Sequence, residues 1–248
     1  MIRQRFEKLY QKLFSPRLKT GNFDEYQNFW EPLARENKAR GHSYETVGAP
    51  DEELYEIAGK ILFMGCCKNG LREHHRILDI GCGNGRLAVK LERYIKPPGE
   101  YYGIDIAETL IEEAKGKIIA SNFKFAIIDS PALPFQNDYF DFIVLFSVFT
   151  HLYHEDIIQL LREIRRVLRD SGICISSIIA DPDIKECEGN IAQMRHNVDF
   201  LKKIIGQQGL IVKSVQQSWH SGSIEDATII KRDQDGCQTC LVFSRITK

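Results

Sequence analysis

The chain has 248 residues, with 33 Lys and Arg against 34 Asp and Glu and a net charge of −1 at pH 7, which argues against capture of nucleic acid by bulk electrostatics. Hydrophobic residues make up 43% and charged residues 27%, ordinary for a globular chain long enough to bury a sizeable core. No apolar run approaches the ~18 residues of a membrane-spanning helix, the N-terminus shows no secretory pattern, and seven scattered cysteines, an odd number, predict a reducing, cytoplasmic setting.

Residues 1–20 are amphipathic: Ile2, Phe6, Leu9, Leu13 and Phe14 recur at helical spacing, and six basic residues oppose Glu7. Three readings compete: a cap or dimer contact, a membrane-surface anchor, and a frayed terminus. Residues 21–50 are dense in aromatics (Phe23, Tyr26, Phe29, Trp30, Tyr44) and read as a cap that serves as part of a lid. The predicted organisation is therefore an N-terminal helical cap over 1–50 and a larger domain over 51–248. Residues 51–70 read as a helix leading into the first strand.

The core opens at Ile77-Leu78-Asp79-Ile80-Gly81-Cys82-Gly83-Asn84-Gly85-Arg86. An apolar run ends on a carboxylate and is followed by three glycines at alternate positions. That pattern predicts a buried strand, a tight turn and a helix start, the ligand-binding corner of a doubly wound sheet. A dinucleotide fingerprint needs glycine at position 86, for close packing of the helix start that carries the pyrophosphate; Arg86 stands there and disfavours a nicotinamide enzyme. Further elements are a helix over 86–95, a strand over 101–105 ending in Asp105, a helix over 107–119, and a strand over 123–128 followed by Asp129 and Ser130. A strand over 141–146, a helix over 155–169 and a strand over 173–178 come next. Residues 180–197 read as a polar insertion, then a helix over 198–206 and strands over 210–217 and 239–246. Alternating β and α units imply a parallel sheet.

Four pieces in order resemble one family. The D-x-G-x-G-x-G run from Asp79 to Gly85, the acidic strand ends at Asp105 and Asp129, the Leu133-Pro134-Phe135…Phe140-Asp141-Phe142 run, and Ser147-Val148-Phe149-Thr150-His151-Leu152 with the helix that follows are similar to the class I S-adenosylmethionine-dependent methyltransferases, in the form found in bacterial glycan-associated enzymes. The resemblance implies a Rossmann-like, doubly wound, mostly parallel seven-stranded α/β sheet with an antiparallel final strand. It implies S-adenosyl-L-methionine as cofactor, held by Asp79, Gly81, Cys82, Gly83, Asn84, Gly85, Asp105, Ile106, Asp129, Ser130, Phe146 and Ser147. Asp105 would accept the ribose hydroxyls and Asp129 the adenine amino group. The chain departs from the family at Asp170-Ser171-Gly172, where Pro-Gly-Gly is usual, and at Ser176-Ser177 after it.

Methyl transfer from a sulfonium needs orientation and a dry site more than a universal catalytic group. His151, at the exit of the fourth predicted strand, is the candidate general base; the alternative is a structural hydrogen bond at that turn. His154 reads as a helix cap, and Asp181, His196 and His220 as residues that could reach a substrate from later loops. Cys237-x-x-Cys240 lacks the second pair of a structural zinc site, and no metal is expected. The acceptor is read as a small molecule or a glycan-linked group, with no nucleic acid partner. The alternatives are a non-catalytic cofactor-binding scaffold and a membrane-surface lipid or quinone methyltransferase.

Overall fold

The computed structural model describes residues 23–217 and 238–246. The basic segment 1–20, His220 and Cys237 lie outside the described residues. Three helices precede the sheet: α1 (Phe23–Ala39), the single turn α2 (Ser43–Thr46) and α3 (Glu52–Lys68). Asp51 starts α3 by accepting the Leu54 amide at 2.8 Å, a side-chain N-cap.

The core alternates as expected: β1 (Arg76–Ile80), α4 (Arg86–Leu91), β2 (Glu100–Asp105), α5 (Glu108–Lys117), β3 (Phe123–Ile127) and β4 (Phe140–Leu145). A 3-10 turn (Phe149–His151) leads to α6 (His154–Val167) and β5 (Leu168–Ala180). The chain continues through β6 (Cys187–Asn190), β7 (Gln193–His196), α7 (Val198–Gln207), β8 (Leu210–Gln217) and β9 (Thr239–Arg245). β3, β2, β1, β4 and β5 pair in parallel in that order; β9 runs antiparallel beside β5, with β8 outside it. The seven expected strands therefore all form, and the antiparallel strand is the last.

Strand side chains alternate between two covered faces, because successive Cβ atoms point to opposite sides of a sheet. Leu78, Ile80, Ile143 and Leu145 pack with the α6 stripe of Ile157, Leu161 and Ile164. Ile77, Phe142 and Val144 pack on the other face with Leu87, Ala88 and Leu91 of α4. Covering on both faces is what a parallel sheet requires.

Three boundaries differ from expectation. α6 stops at Val167 because Leu168 already pairs with Phe140, so the segment 170–172 lies inside β5 rather than in a turn. Tyr153, not His154, occupies the N-cap of α6, and no side chain caps it. Residues 180–197 are not merely a polar insertion: β6 and β7 form a hairpin whose second strand adds to the end of β5, with Ile179 opposite Arg195 and Ala180 opposite His196.

Gly85 precedes α4 in the left-handed region (φ 82°), and a Cβ built on it would lie 3.1 Å from the Ala114 Cβ. Gly116, in the last turn of α5, would meet nothing within 4 Å. Urea denaturation should therefore separate the two sites. Gly85→Ala should lose roughly 1–3 kcal/mol through strain and crowding, whereas Gly116→Ala should gain up to about 1 kcal/mol from helix propensity.

Candidate active site

The glycine turn leaves β1 at the carboxyl edge of the sheet, where β2 and β4 lie on either side of β1 and the strand order reverses. That is where doubly wound folds bind ligands. The turn is fixed from β2. The amides of Gly81 and Cys82 both donate to the Ile104 carbonyl, at 2.8 and 3.0 Å. The Gly83 amide donates to Asp105 Oδ2 at 2.8 Å, and the Ala107 amide to Asp105 Oδ1 at 3.0 Å. Burial pushes the Asp105 carboxyl up from its ordinary range, against the pull of the Ala107, Gly83 and Ile106 amides.

Asp79 is buried in β1 and accepts the Tyr101 hydroxyl at 2.6 Å. Burial first, and then the nearby Asp105 charge, push its carboxyl up to about 7, although the Tyr101 bond and Arg86 oppose this. Tyr101 stays protonated as the donor, because its own burial and the Asp79 charge push its hydroxyl far up.

Not every residue of the glycine turn faces the same way. Asn84 turns inward: its Oδ1 accepts the Tyr55 hydroxyl at 2.9 Å, and its carbonyl accepts Lys117 Nζ at 2.9 Å. Gly85 packs on Ala114. The Cys82 thiol is buried and, through burial, held far above its usual range, so it is inert. Arg86, read from the sequence only as an exclusion, donates to the Val47 carbonyl at 3.0 Å and lies 5.9 Å from the Tyr55 ring centroid.

At the end of β4, Phe146 is buried and Ser147 adopts φ 59°, uncommon for a residue with a side chain. The Ser147 amide donates to Ser177 Oγ at 2.7 Å, and its hydroxyl exchanges bonds with the Gln238 amide group at 2.8 and 3.1 Å. Sequence reasoning noted Ser177 of β5 only as a departure from the family and missed Gln238, the residue before β9; neither contact carries a local pattern. His151 follows in the 3-10 turn. Its Nδ1 lies 3.1 Å from the Ile191 carbonyl, and its ring meets Trp30 of α1 edge-on at 4.6 Å between centroids. Burial pushes the His151 imidazole down to about 4, although the Ile191 and Ala192 backbone groups favour its charged form.

A cleft of about 2540 Å3 joins these parts. Its walls include Asp79, Gly81, Gly83, Asp105 and Ile106 on the sheet side, then Phe146, Ser147 and His151. Cap residues Phe23, Phe29, Trp30 and Val47 lie across from them, and Ile191 and Ala192 of the hairpin close one end. The volume is more than twice the roughly 1,000 Å3 at the upper end of ordinary small-molecule pockets, so two molecules fit side by side.

Of the residues expected to meet the cofactor, Asn84, Gly85, Asp129 and Ser130 are not on this wall. β3 ends at Ile127, and Asp129 stands exposed beyond it. Ser130 Oγ accepts the Ala132 amide at 3.1 Å. Asp181 is paired with Arg195 at 2.6 Å and His196 is buried against the Phe149 carbonyl at 2.7 Å, so neither reaches the cleft. Among the described residues no group of three or more His, Cys, Asp and Glu could hold a metal, and no helix is long and apolar enough to cross a membrane.

Residues 77–172 match the family model described as a methyltransferase domain. This stretch is therefore a methyltransferase domain, and the chain resembles the class I S-adenosylmethionine-dependent methyltransferases. It is 31% identical over 108 residues to a ubiquinone/menaquinone biosynthesis C-methyltransferase of Pseudomonas entomophila (strain L48), a stretch covering 42% of this chain and 41% of that protein. The chain thus spans less than half the length of this curated relative. The fold resembles magnesium protoporphyrin IX methyltransferase from Synechocystis PCC 6803 with bound SAH (TM-score 0.63, 15% identity, 91% of this chain and 100% of that one). It also resembles the [4+2]-cyclase SpnF (TM-score 0.59, 16% identity, 77% of this chain and 82% of that one).

The raised Asp79 carboxyl gives this methyltransferase domain a signed pH dependence. Unfolded, the group titrates near its ordinary 3.8, and folded near 7. Between those values the folded state binds more protons, so stability falls as pH rises through the window. Urea midpoints measured from pH 4 to 8 should show this limb in the wild type. Asp79→Asn, which keeps an acceptor for Tyr101, should flatten it and be relatively more stable at pH 8.

Proposed function

We propose that the protein transfers a methyl group from S-adenosyl-L-methionine to a small-molecule acceptor bound under the cap. The observation that carries this reading is the continuous cleft running from the Asp105-braced glycine turn to His151 and Trp30. The residues present fit the cofactor. Asp105 spends one lone pair per oxygen on backbone amides, and a carboxylate offers about four, so a ribose diol can be accepted as well. Ile106, Ile128 and Leu133 line the cleft and offer apolar surface to a flat base. Asp79, partly protonated when free, suits the cofactor's ammonium group. Gly81 and Gly83 present main chain rather than side chain to the cleft, and Phe146 and Ser147 stand at the β4 exit towards His151. Asp129 has no part in this arrangement.

When bound, the cofactor supplies a methyl group on a positively charged sulfur, whose departure as a neutral thioether needs no acid. The chain's own residues orient, exclude water and take a proton. Trp30 and the cap cover the ring of His151, and that ring is held neutral by burial, ready to accept a proton from an acceptor hydroxyl or activated carbon.

Two acceptor classes follow from the sequence, glycan-linked and quinone- or lipid-like. The apolar and aromatic wall of Phe23, Phe29, Trp30, Leu152 and Ile191 favours a planar ring, and the name of the curated relative points the same way. The same fold in a protein named as a cyclase means that binding alone does not establish transfer. The deciding experiment is transfer of a labelled methyl group to a panel of quinols, phenols and sugars. Absence of transfer to every acceptor despite micromolar cofactor binding would favour the scaffold reading.

Calorimetry should show Asp105→Ala weakening cofactor binding by about tenfold to a hundredfold, from the loss of charge-assisted bonds worth roughly 1.5–3 kcal/mol. Unchanged affinity in the folded variant would place the ribose elsewhere.

With an acceptor in hand, His151→Ala should cut turnover by about 10²–10⁴-fold while leaving cofactor affinity nearly intact. A base works deprotonated, so the wild-type rate should rise with pH through about 4, not near the ordinary imidazole value, and this limb should vanish in the variant.

A further inference from the structure

The β6–β7 hairpin and the turn that carries His151 exchange a reciprocal pair of bonds. His151 of the 3-10 turn meets the Ile191 carbonyl of the hairpin at 3.1 Å, and His196 of the hairpin meets the Phe149 carbonyl of the turn at 2.7 Å. A carbonyl only accepts, so each imidazole donates an N–H. His151 therefore carries its proton on Nδ1, and in the neutral ring Nε2 keeps a free lone pair. His196 carries its proton on Nε2. Its Nδ1 is buried without a hydrogen-bond partner, and burial pushes the imidazole below its ordinary range.

The hairpin tip is built to hold its carbonyl still. Asn190 is 4% exposed, and its Oδ1 accepts the Ala192 amide at 2.8 Å and the Gln193 amide at 3.3 Å, closing the turn around Ile191. Gly189, at φ 131°, lets the strands close, since a Cβ there would lie 2.2 Å from the Gln193 carbonyl oxygen. The base of the hairpin is tied to β5 by the Ile179–Arg195 and Ala180–His196 pairing and by Arg195 Nη1 on Asp181 at 2.6 Å. Trp30 covers the His151 ring from the cap.

We propose that the 187–196 hairpin is a positioning element that fixes the tautomer of His151, with the Ile191 carbonyl as the orienting acceptor and Asn190 and His196 as the residues that hold it. This rests on the methyltransferase reading. With S-adenosylmethionine bound, the acceptor X–H would give its proton to His151 Nε2 as it took the methyl group, and the cofactor would leave as a neutral thioether. The imidazolium so formed keeps its Nδ1–H on the Ile191 carbonyl, which stabilises the developing charge as an orienting partner does for other histidine bases. The proton then passes to water.

The test needs no acceptor. Long-range 15N–1H spectra of the full-length protein at neutral pH, with the His151 resonances assigned by their loss in His151→Gln, report which ring nitrogen is protonated. The expected result is the Nδ1–H form, the opposite of the Nε2–H form that free neutral imidazole favours. An Nε2–H ring in the wild type overturns the proposal. Asn190→Ala should move His151 towards the Nε2–H form, and Asn190→Ser, which can close the same turn through its hydroxyl, should restore Nδ1–H. A folded Asn190→Ala that keeps the Nδ1–H form removes Asn190 from the device; if that variant does not fold, the wild-type spectrum alone decides. Once an acceptor is known, Asn190→Ala should lower kcat roughly 10–100-fold, the scale on which loss of an orienting partner acts, with rescue in Asn190→Ser. Calorimetry with S-adenosylmethionine separates the two readings: loss of cofactor binding in the wild type sinks the methyltransferase reading, whereas bound cofactor with an Nε2–H ring sinks only this one.

Discussion

Asp105 joins three strand ends at one residue. Its two carboxylate oxygens accept the Gly83 and Ala107 amides, and its carbonyl accepts the Ile128 amide at 2.9 Å beyond β3. The glycine turn, the start of α5 and the exit of β3 are thereby placed relative to one another. These are the three pieces that wall the sheet side of the cleft. Because the carboxylate is buried, each of those amide bonds acts in a low dielectric and is stronger than its exposed counterpart. That bridge adds to the Gly81 and Cys82 amide bonds on the Ile104 carbonyl in holding the left-handed glycines of the turn in register with β2.

The same burial has an electrostatic consequence. Burial and the nearby Asp105 charge raise the cost of ionising Asp79, and burial and the Glu31 charge do the same for Asp105. Arg86 offsets part of this for Asp79 but spends a donor on Val47 of the cap. A ligand carrying positive charge is then favoured, because it relieves a cost already built into the fold. A methylsulfonium with an ammonium group is such a ligand, and it differs from a pyrophosphate in sign as well as in shape.

The cap is coupled to this floor rather than resting on it. Glu31 of α1 accepts the Thr109 hydroxyl and amide at 2.7 and 3.1 Å, at the N-terminus of α5, where the helix dipole favours a carboxylate. Val47 sits against Gly83, Ser43 and Tyr55 reach Asn84, and Tyr26 donates to Asp156 at 2.5 Å on the far side. Movement of the cap would therefore pull on the glycine turn and on the first turn of α6 together.

The sequence by itself determined the sheet, the order of its elements and the glycine turn. Those follow from local signals: period-2 and period-3.6 burial, alternating glycines, and acidic residues at strand ends. It also placed His151 at the β4 exit, because spacing from Ser147 fixes that position whatever lies around it. Only the tertiary structure decided what those residues touch. It withdrew Asp129 and Ser130 from the cleft because β3 ends two residues short of Asp129, and it turned Asn84 inward to Tyr55 and Lys117. It brought Ser177 and Gln238 to Ser147 from positions 30 and 91 residues away in sequence. It also made a hairpin of residues 187–196, where composition suggested only a polar insertion. That hairpin forms because β5 extends far enough past the sheet to offer a free edge, and an unpaired edge is satisfied by whichever strand the fold brings to it. No local pattern in the sequence records that meeting.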